Sequence, residues 1–171
     1  MRIAGIIHES VVDGPGVRFV IFAQGCLHRC PGCHNPETWD PAAGQETTVR
    51  ALVKEIRKAP DSVKGITLSG GEPFLQPGEM ADLAVRIHSL GLTVVTYTGY
   101  VFEDLLEMAV PDPDIARLLQ ETDILVDGPY VEALKDIRLR FRGSANQRIF
   151  DMNKTRLTGL PVLLSDSLDE F

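Results

Sequence analysis

Residues 17–33 read VRFVIFAQGCLHRCPGC, an apolar run that stops at a glycine and opens into a loop holding all three cysteines of the chain. The segment VRFVIFAQG is rich in β-branched and aromatic residues and reads as a buried strand ending just before the first cysteine. Cys26, Cys30 and Cys33 then follow with the spacing Cys-x3-Cys-x2-Cys. Upstream, DGPG at 13–16 is a turn. Downstream, a connector through Pro41 and Gly44 leads to Val49, Leu52, Val53 and Ile56, spaced as one face of a helix. Thr47 or Thr48 is placed to cap it. The strand-then-helix unit recurs. Ile66–Leu68 runs into SGGEP, and Met80, Leu83, Ala84 and Ile87 repeat the helical spacing between Pro77 and Gly91. Leu92 to Thr96 is β-rich and ends at Gly99, and Phe102, Leu105, Leu106 and Ala109 form a third helical face. Ile115, Leu118 and Leu119 suggest a fourth helix, and DILVDGP at 123–129 is a buried-type strand. RLRFR at 138–142 alternates, which in an extended chain puts Arg138, Arg140 and Arg142 on one face. The last residues, SDSLDEF, read as a polar tail.

Strands alternating with helices imply an α/β fold with a mostly parallel sheet. About four βα units are too few for a closed eight-fold barrel of ~250 residues, so an open partial (β/α) barrel is expected. In such sheets the chemistry lies at the C-terminal ends of the strands. The cysteine loop, SGGEP, TYTGY and VDGPY all follow strands and would gather at one rim. The 171 residues fit a single domain, with a core at about 10–150. A net charge of −7 disfavours nucleic acid and anionic membranes as partners. No apolar run approaches the ~18–20 residues that span a bilayer. The N-terminus lacks the pattern of a secretory signal, so a cytoplasmic location is expected.

An odd number of cysteines crowded into eight residues argues for a reduced ligand set rather than a disulfide framework. Soft thiolates select zinc or an iron–sulfur cluster. Zinc would need His28 or His34 as a fourth ligand, and the second Cys-x2-Cys pair of a zinc ribbon is absent. A [4Fe–4S] cluster on three cysteines keeps one iron open to another ligand. SGGEP has two readings. In one, a glycine turn sets Glu72 near a helix start, where the helix dipole stabilises it; in the other, the glycines let a ligand approach the backbone while Glu72 accepts a ligand cation. No phosphate-binding glycine loop is present.

The loop GCLHRCPGCHN, joined to SGGEP one βα unit later, resembles the radical S-adenosylmethionine superfamily. DGPGVR and HNPETWD resemble the activating enzymes of glycyl-radical enzymes. TYTGY, DILVDGPYV, ALKD and RGSANQR look like the branch that activates anaerobic (class III) ribonucleotide reductase. The resemblance covers about residues 10–150. It implies that Cys26, Cys30 and Cys33 hold a [4Fe–4S] cluster whose open iron chelates S-adenosylmethionine. Gly70, Gly71 and Glu72 match the loop that contacts the methionine amino group. Many members place an aromatic residue before the last cysteine, where this chain has Gly32; the backbone of Gly32, Cys33 and His34, with the His34 ring, would take over that contact with adenine. Thr96 and Asp127 would help position the cofactor. The implied chemistry is one-electron reduction by a flavodoxin-like or ferredoxin-like donor, cleavage to a 5′-deoxyadenosyl radical, and hydrogen abstraction from a glycine of the partner reductase. No acid–base residue is expected.

His8 and His88 read as packing or surface residues, and Trp39 as an anchor beneath the cysteine loop. The arginines of 138–148 are the one local positive cluster, and Arg140 and Arg142, with Ser144, Asn146 and Gln147, are the expected docking face for the reductase. Two alternatives stand beside this reading. One is activation of another glycyl-radical enzyme of the pyruvate formate-lyase type. The other is a zinc-binding module without catalysis.

Overall fold

The alternating segments assemble into one seven-stranded sheet in the computed structural model, which describes residues 1–164; the polar tail at 165–171 lies outside the described residues. The strands are β1 (Arg2–Ser10), β2 (Val17–Ala23), β3 (Gln45–Glu46), β4 (Val63–Gly70), β5 (Thr93–Tyr97), β6 (Ile124–Asp127) and β7 (Arg148–Asp151). The helices are α1 (Val49–Ile56), α2 (Pro77–His88), α3 (Phe102–Met108), α4 (Pro113–Glu121) and α5 (Met152–Thr158). The sheet order is β3-β1-β2-β4-β5-β6-β7. β2, β4, β5 and β6 run parallel, while β1, β3 and β7 add antiparallel edges. Among the described residues no helix is long and apolar enough to cross a membrane.

Local chemistry sets the helix ends. Thr48 Oγ1 accepts from the Ala51 N–H at 3.2 Å, so Thr48 is the cap of α1. Asp112 caps α4 by accepting from the Asp114 N–H at 3.0 Å. Pro77 and Pro113 occupy first-turn positions, where a missing N–H costs nothing. Gly91, at φ 74°, turns the chain from α2 toward β5.

The two faces of the central strands differ, and this decides what can reach the site. Phe19, Ile21, Ile66, Leu68, Val94 and Leu125 pack with α1, α2 and α4 in the main core. The alternate residues face the other way. Val95, Ile124, Val126 and Ile149 form a second, smaller core there. Arg18 is buried on that second face and donates to Ile66 O, Thr93 O (3.0 Å), Thr93 Oγ1 (2.7 Å) and Thr67 Oγ1 (3.3 Å). Burial lowers its pKa to about 10, so it stays charged at neutral pH. Thr67 Oγ1 also donates to Asp13 O at 2.7 Å. The DGPG turn and Arg18 thus stitch β2, β4 and β5 together.

Three features differ from the sequence reading. β1 and β3 pair at one edge, and β7 with α5 completes the other; none is marked by strong periodicity. β1 is half-exposed, contains Gly5 and has irregular register, so its alternation is blurred. Residues 138–142 are turn rather than strand, because no neighbour offers a ladder. Asp136 instead accepts from the Arg138 backbone and guanidinium (2.9 and 2.7 Å). The alternating arginines therefore do not share one strand face.

His88 is not an isolated packing residue. Its Nδ1 lies 2.9 Å from Glu121 Oε2 and its Nε2 3.0 Å from Asp123 Oδ2, joining α2 to the start of β6. The hydrogen bond with Asp123 raises the His88 pKa, with burial opposing and Glu121 assisting. A raised folded-state pKa stabilises the fold fully below the ordinary histidine value and loses that contribution as pH climbs through the raised one. His88→Ala is therefore expected to lower the urea midpoint more at about pH 6 than at about pH 9. Equal losses at both pH values would contradict the charged pairing.

Candidate functional site

The C-terminal ends of β2, β4, β5 and β6 border an open cavity of about 720 Å³, within the ~300–1,000 Å³ usual for small-molecule sites. Cys26, Cys30 and Cys33 line it, with Gly70 at the end of β4, Gly71 just after it, Thr98 after β5 and Tyr130 after β6. All four rim loops expected from the sequence contribute to it.

The cysteine loop is built by backbone requirements. Gly25 N–H donates to Thr38 O at 2.7 Å and Cys26 N–H to Trp39 O at 3.1 Å, so the PETW turn clamps the start of the loop. Cys33 N–H donates to Cys30 O at 3.1 Å, closing a Pro31–Gly32 turn. Gly32 has φ 72°, and a Cβ there would stand 2.8 Å from the Glu132 carboxyl carbon. Glycine is needed at this turn position, and Glu132 occupies the space beside it. Burial raises the Cys26 pKa, while the backbone N–H groups of residues 28 and 29 face its sulfur and favour the thiolate. Asn35 N–H donates to Cys33 Sγ at 3.4 Å.

Gly70 and Gly71 are first a packing requirement. Gly71 N–H donates to Ala23 O at 2.8 Å and Glu72 N–H to Gly25 O at 2.7 Å. A Cβ on Gly70 would lie 2.6 Å from Phe22 Cα, and one on Gly71 2.3 Å from Gly25 O. Only bare backbone lets the SGGE turn lie against the end of β2. The same two residues remain open on the cavity side.

Glu72 has a different place from the one expected. It is fully buried and accepts from Phe74 N (3.0 Å), Gly99 N (2.9 Å), Thr98 Oγ1 (3.0 Å) and His28 Nε2 (3.1 Å). A carboxylate has about four acceptor positions, and all are used. In this arrangement protein donors satisfy the carboxylate, and Glu72 is not among the residues lining the cavity. It ties the cysteine loop, through His28, to the loops after β4 and β5. The reading of Glu72 as support for a helix start is met in part, since it caps the 3-10 turn Pro73–Leu75.

Strand parity removes two further candidates from the cavity. Thr96 is buried and its Oγ1 lies 2.9 Å from Thr122 Oγ1, on the helix side of β5. Its neighbour Tyr97 faces the cavity and donates to Phe141 O at 2.8 Å. Asp127 is buried, accepts from Phe102 N–H at 2.7 Å and pairs with Arg148. It supports the rim from behind. Gly32 is exposed and outside the cavity lining, whereas Cys33 and His34 line it. The His34 ring packs on Tyr130 with centroids 4.9 Å apart.

The expected docking set divides. Arg140 and Arg142 line the cavity mouth with Ile137, which is 90% exposed. Ser144 is buried and its Oγ accepts from Val131 N–H at 3.1 Å. Asn146 donates to Pro129 O at 2.8 Å. Gln147 donates to Gly128 O at 3.1 Å and accepts from Gly143 N–H at 2.8 Å. RGSANQ thus staples the loop after β6 in place, with Ser144 buried, Gln147 half-buried and Asn146 exposed. Sequence reasoning missed His28 as a bridge, along with Tyr97, Thr98 and Tyr130. The alternation along TYTGY and VDGPY carried the signal for Tyr97.

An open α/β sheet with three free thiols converging on one rim suits a small single-cluster iron–sulfur protein. Comparison with known proteins agrees: a family model described as a 4Fe-4S single cluster domain matches residues 12–150. The anaerobic ribonucleoside-triphosphate reductase-activating protein of Salmonella typhimurium is 39% identical over 146 residues, covering 81% of this chain and 90% of that protein. Its counterpart in Vibrio cholerae is 32% identical, covering 82% and 91%. The pyruvate formate-lyase-activating enzyme of Clostridium pasteurianum is 36% identical over 137 residues, covering 77% of this chain but 53% of that enzyme. The chain belongs to the family of radical S-adenosylmethionine activating enzymes of glycyl-radical enzymes. Its cofactors are a [4Fe–4S] cluster and S-adenosylmethionine.

The residues present fit both. Three free cysteines face one cavity, and donor N–H groups already face the Cys26 and Cys33 sulfurs. Among the described residues no three His, Cys, Asp or Glu side chains meet closely enough to hold a single ion. A cuboidal cluster gives each cysteine its own iron, so its ligands need not meet at one point.

Proposed function

We propose that this chain installs a glycyl radical on an anaerobic ribonucleotide reductase. The observation that carries the chemistry is the convergence of Cys26, Cys30 and Cys33 with the bare backbone of Gly70 and Gly71 on one open cavity. The choice of partner rests on the motifs TYTGY, DILVDGPYV and RGSANQR and on the reductase-activating protein of Salmonella typhimurium, 39% identical over 146 residues against 36% over 137 for the formate-lyase activator.

In this reading Cys26, Cys30 and Cys33 would hold the cluster and leave one iron open to S-adenosylmethionine. Gly70 and Gly71 would border its methionine end. Cys33 and His34, with Tyr130, would offer the adenine wall. Glu72 and His28 fix the distance between the cysteine loop and the glycines, and Asp127 with Arg148 holds the loop after β6. When bound, the two cofactors supply reductive cleavage of a sulfonium carbon–sulfur bond and hydrogen-atom abstraction from a glycine Cα. The protein's part is to orient and enclose, and proximity supplies much of the rate. Val11 and Val12 on one side and residues 137 and 139–142 on the other border the cavity, with Arg140 and Arg142 among them, and the target segment would enter there. The open sheet is one part of a (β/α) barrel, the chain is a single domain of that type, and its electron donor is flavodoxin-like or ferredoxin-like. Three unpaired thiols suit a reducing, cytoplasmic setting.

The test is anaerobic reconstitution with iron and sulfide, addition of a class III reductase, S-adenosylmethionine and dithionite, and EPR spectroscopy. A glycyl-radical doublet on the reductase, absent when pyruvate formate-lyase replaces it, is the expected result. A doublet on the lyase alone would reassign the partner, and no cleavage of S-adenosylmethionine would reject the reading.

A further inference from the structure

The cysteine loop has two sides. Cys26, His28 and Cys30 turn inward and line the cavity. The residues between them turn outward: Leu27 is 68% exposed and Arg29 is exposed. Arg29 holds φ 46°, and among the described residues the one other non-glycine with positive φ is Phe141, also at the cavity. Such a conformation is unfavourable in a residue with a Cβ, and Gly or Asn would relieve it. An arginine kept there, beside an exposed leucine, on a chain of net charge −7, is a local cationic and apolar spot on an acidic surface. Glu132 stands against Gly32, so the spot is confined to the first turn of the loop.

We infer that Leu27 and Arg29 form the contact through which an acidic one-electron carrier protein reduces the site. The inference rests on the function proposed above. In that reading the cavity side is filled by S-adenosylmethionine and the target segment, and His28 is held by Glu72. The outer side is then the short route to the cysteine-held irons, since Leu27 and Arg29 each adjoin a ligand in sequence. One electron leaves the carrier and is taken up at that site, with no bond or proton transferred. Arg29 steers a carrier of opposite charge, and Leu27 supplies the dry centre of a small, transient contact.

The test follows reduction of the reconstituted full chain by stopped-flow absorbance. The probes are a photoreduced flavodoxin and, separately, a reduced plant-type ferredoxin, with dithionite as the small reductant. Arg29→Glu and Leu27→Glu are each expected to slow reduction by at least one of the protein carriers about tenfold at low salt. Arg29→Lys should stay within about twofold of the parent, whose own rate should fall as salt rises. Iron content and the dithionite rate should not change in any variant. The inference is overturned if the parent is reduced by neither carrier, or if both charge variants keep its carrier-driven rates. It is equally overturned if dithionite reduction slows in proportion, which would make these residues structural. Radical formation on the reductase with dithionite tests the proposed function by itself, so the two failures are distinguishable.

Discussion

Replacing any one of Cys26, Cys30 or Cys33 with alanine is expected to abolish reductive cleavage of S-adenosylmethionine, lowering 5′-deoxyadenosine formation to background. The chain has three cysteines and no spare one, so a lost ligand cannot be replaced from elsewhere in the chain. In the proposed site three thiolates would hold the cluster, and two are too few for a cubane that normally takes four ligands. The fold should survive the change, because none of the three belongs to either apolar core. Far-UV circular dichroism should match the parent while iron content and visible absorbance collapse. A Cys30→Ala variant that kept both its cluster and its cleavage activity would remove these residues from the site.

Glu72→Ala should destabilise the protein by about 3–5 kcal/mol, because it strips a fully buried carboxylate from four donors at once. The Phe74 and Gly99 N–H groups, the Thr98 hydroxyl and the His28 ring would all lose their partner. Glu72→Gln keeps the volume but turns an amide NH2 toward these donors, so it should cost about 1.5–3 kcal/mol rather than rescue the fold. Urea unfolding of the metal-free chain measures both losses without the cofactors. Were Glu72→Ala to unfold like the parent and only lose affinity for S-adenosylmethionine, Glu72 would be a direct ligand contact, as the sequence alone suggests.

Much of this site was legible before any coordinates. The cysteine spacing and the recurrence of strand, loop and helix are local patterns. They depend on residue type and period, which a sequence displays directly. What stayed hidden were orientation and partnership. Thr96 and Tyr97 are adjacent in TYTGY, yet one meets Thr122 behind the sheet and the other faces the cavity. RLRFR has the period of a strand but no ladder to join, so Asp136 draws Arg138 into a turn. β7 passed unnoticed because four residues form a strand only where β6 offers its edge.

Spacing and apolar period in the sequence were enough to expect the three-cysteine loop, the parallel centre of the sheet and the rim to which four loops come. Only the folded chain shows Glu72 as a keystone held by protein donors. Its four donors come from residues 28, 74, 98 and 99, and only the folded chain brings them around one carboxylate. The same holds for Gly70 and Gly71. Their bare backbones read as room for a ligand, yet the first demand on them is steric, set by the end of β2 lying within 3 Å of where a Cβ would stand.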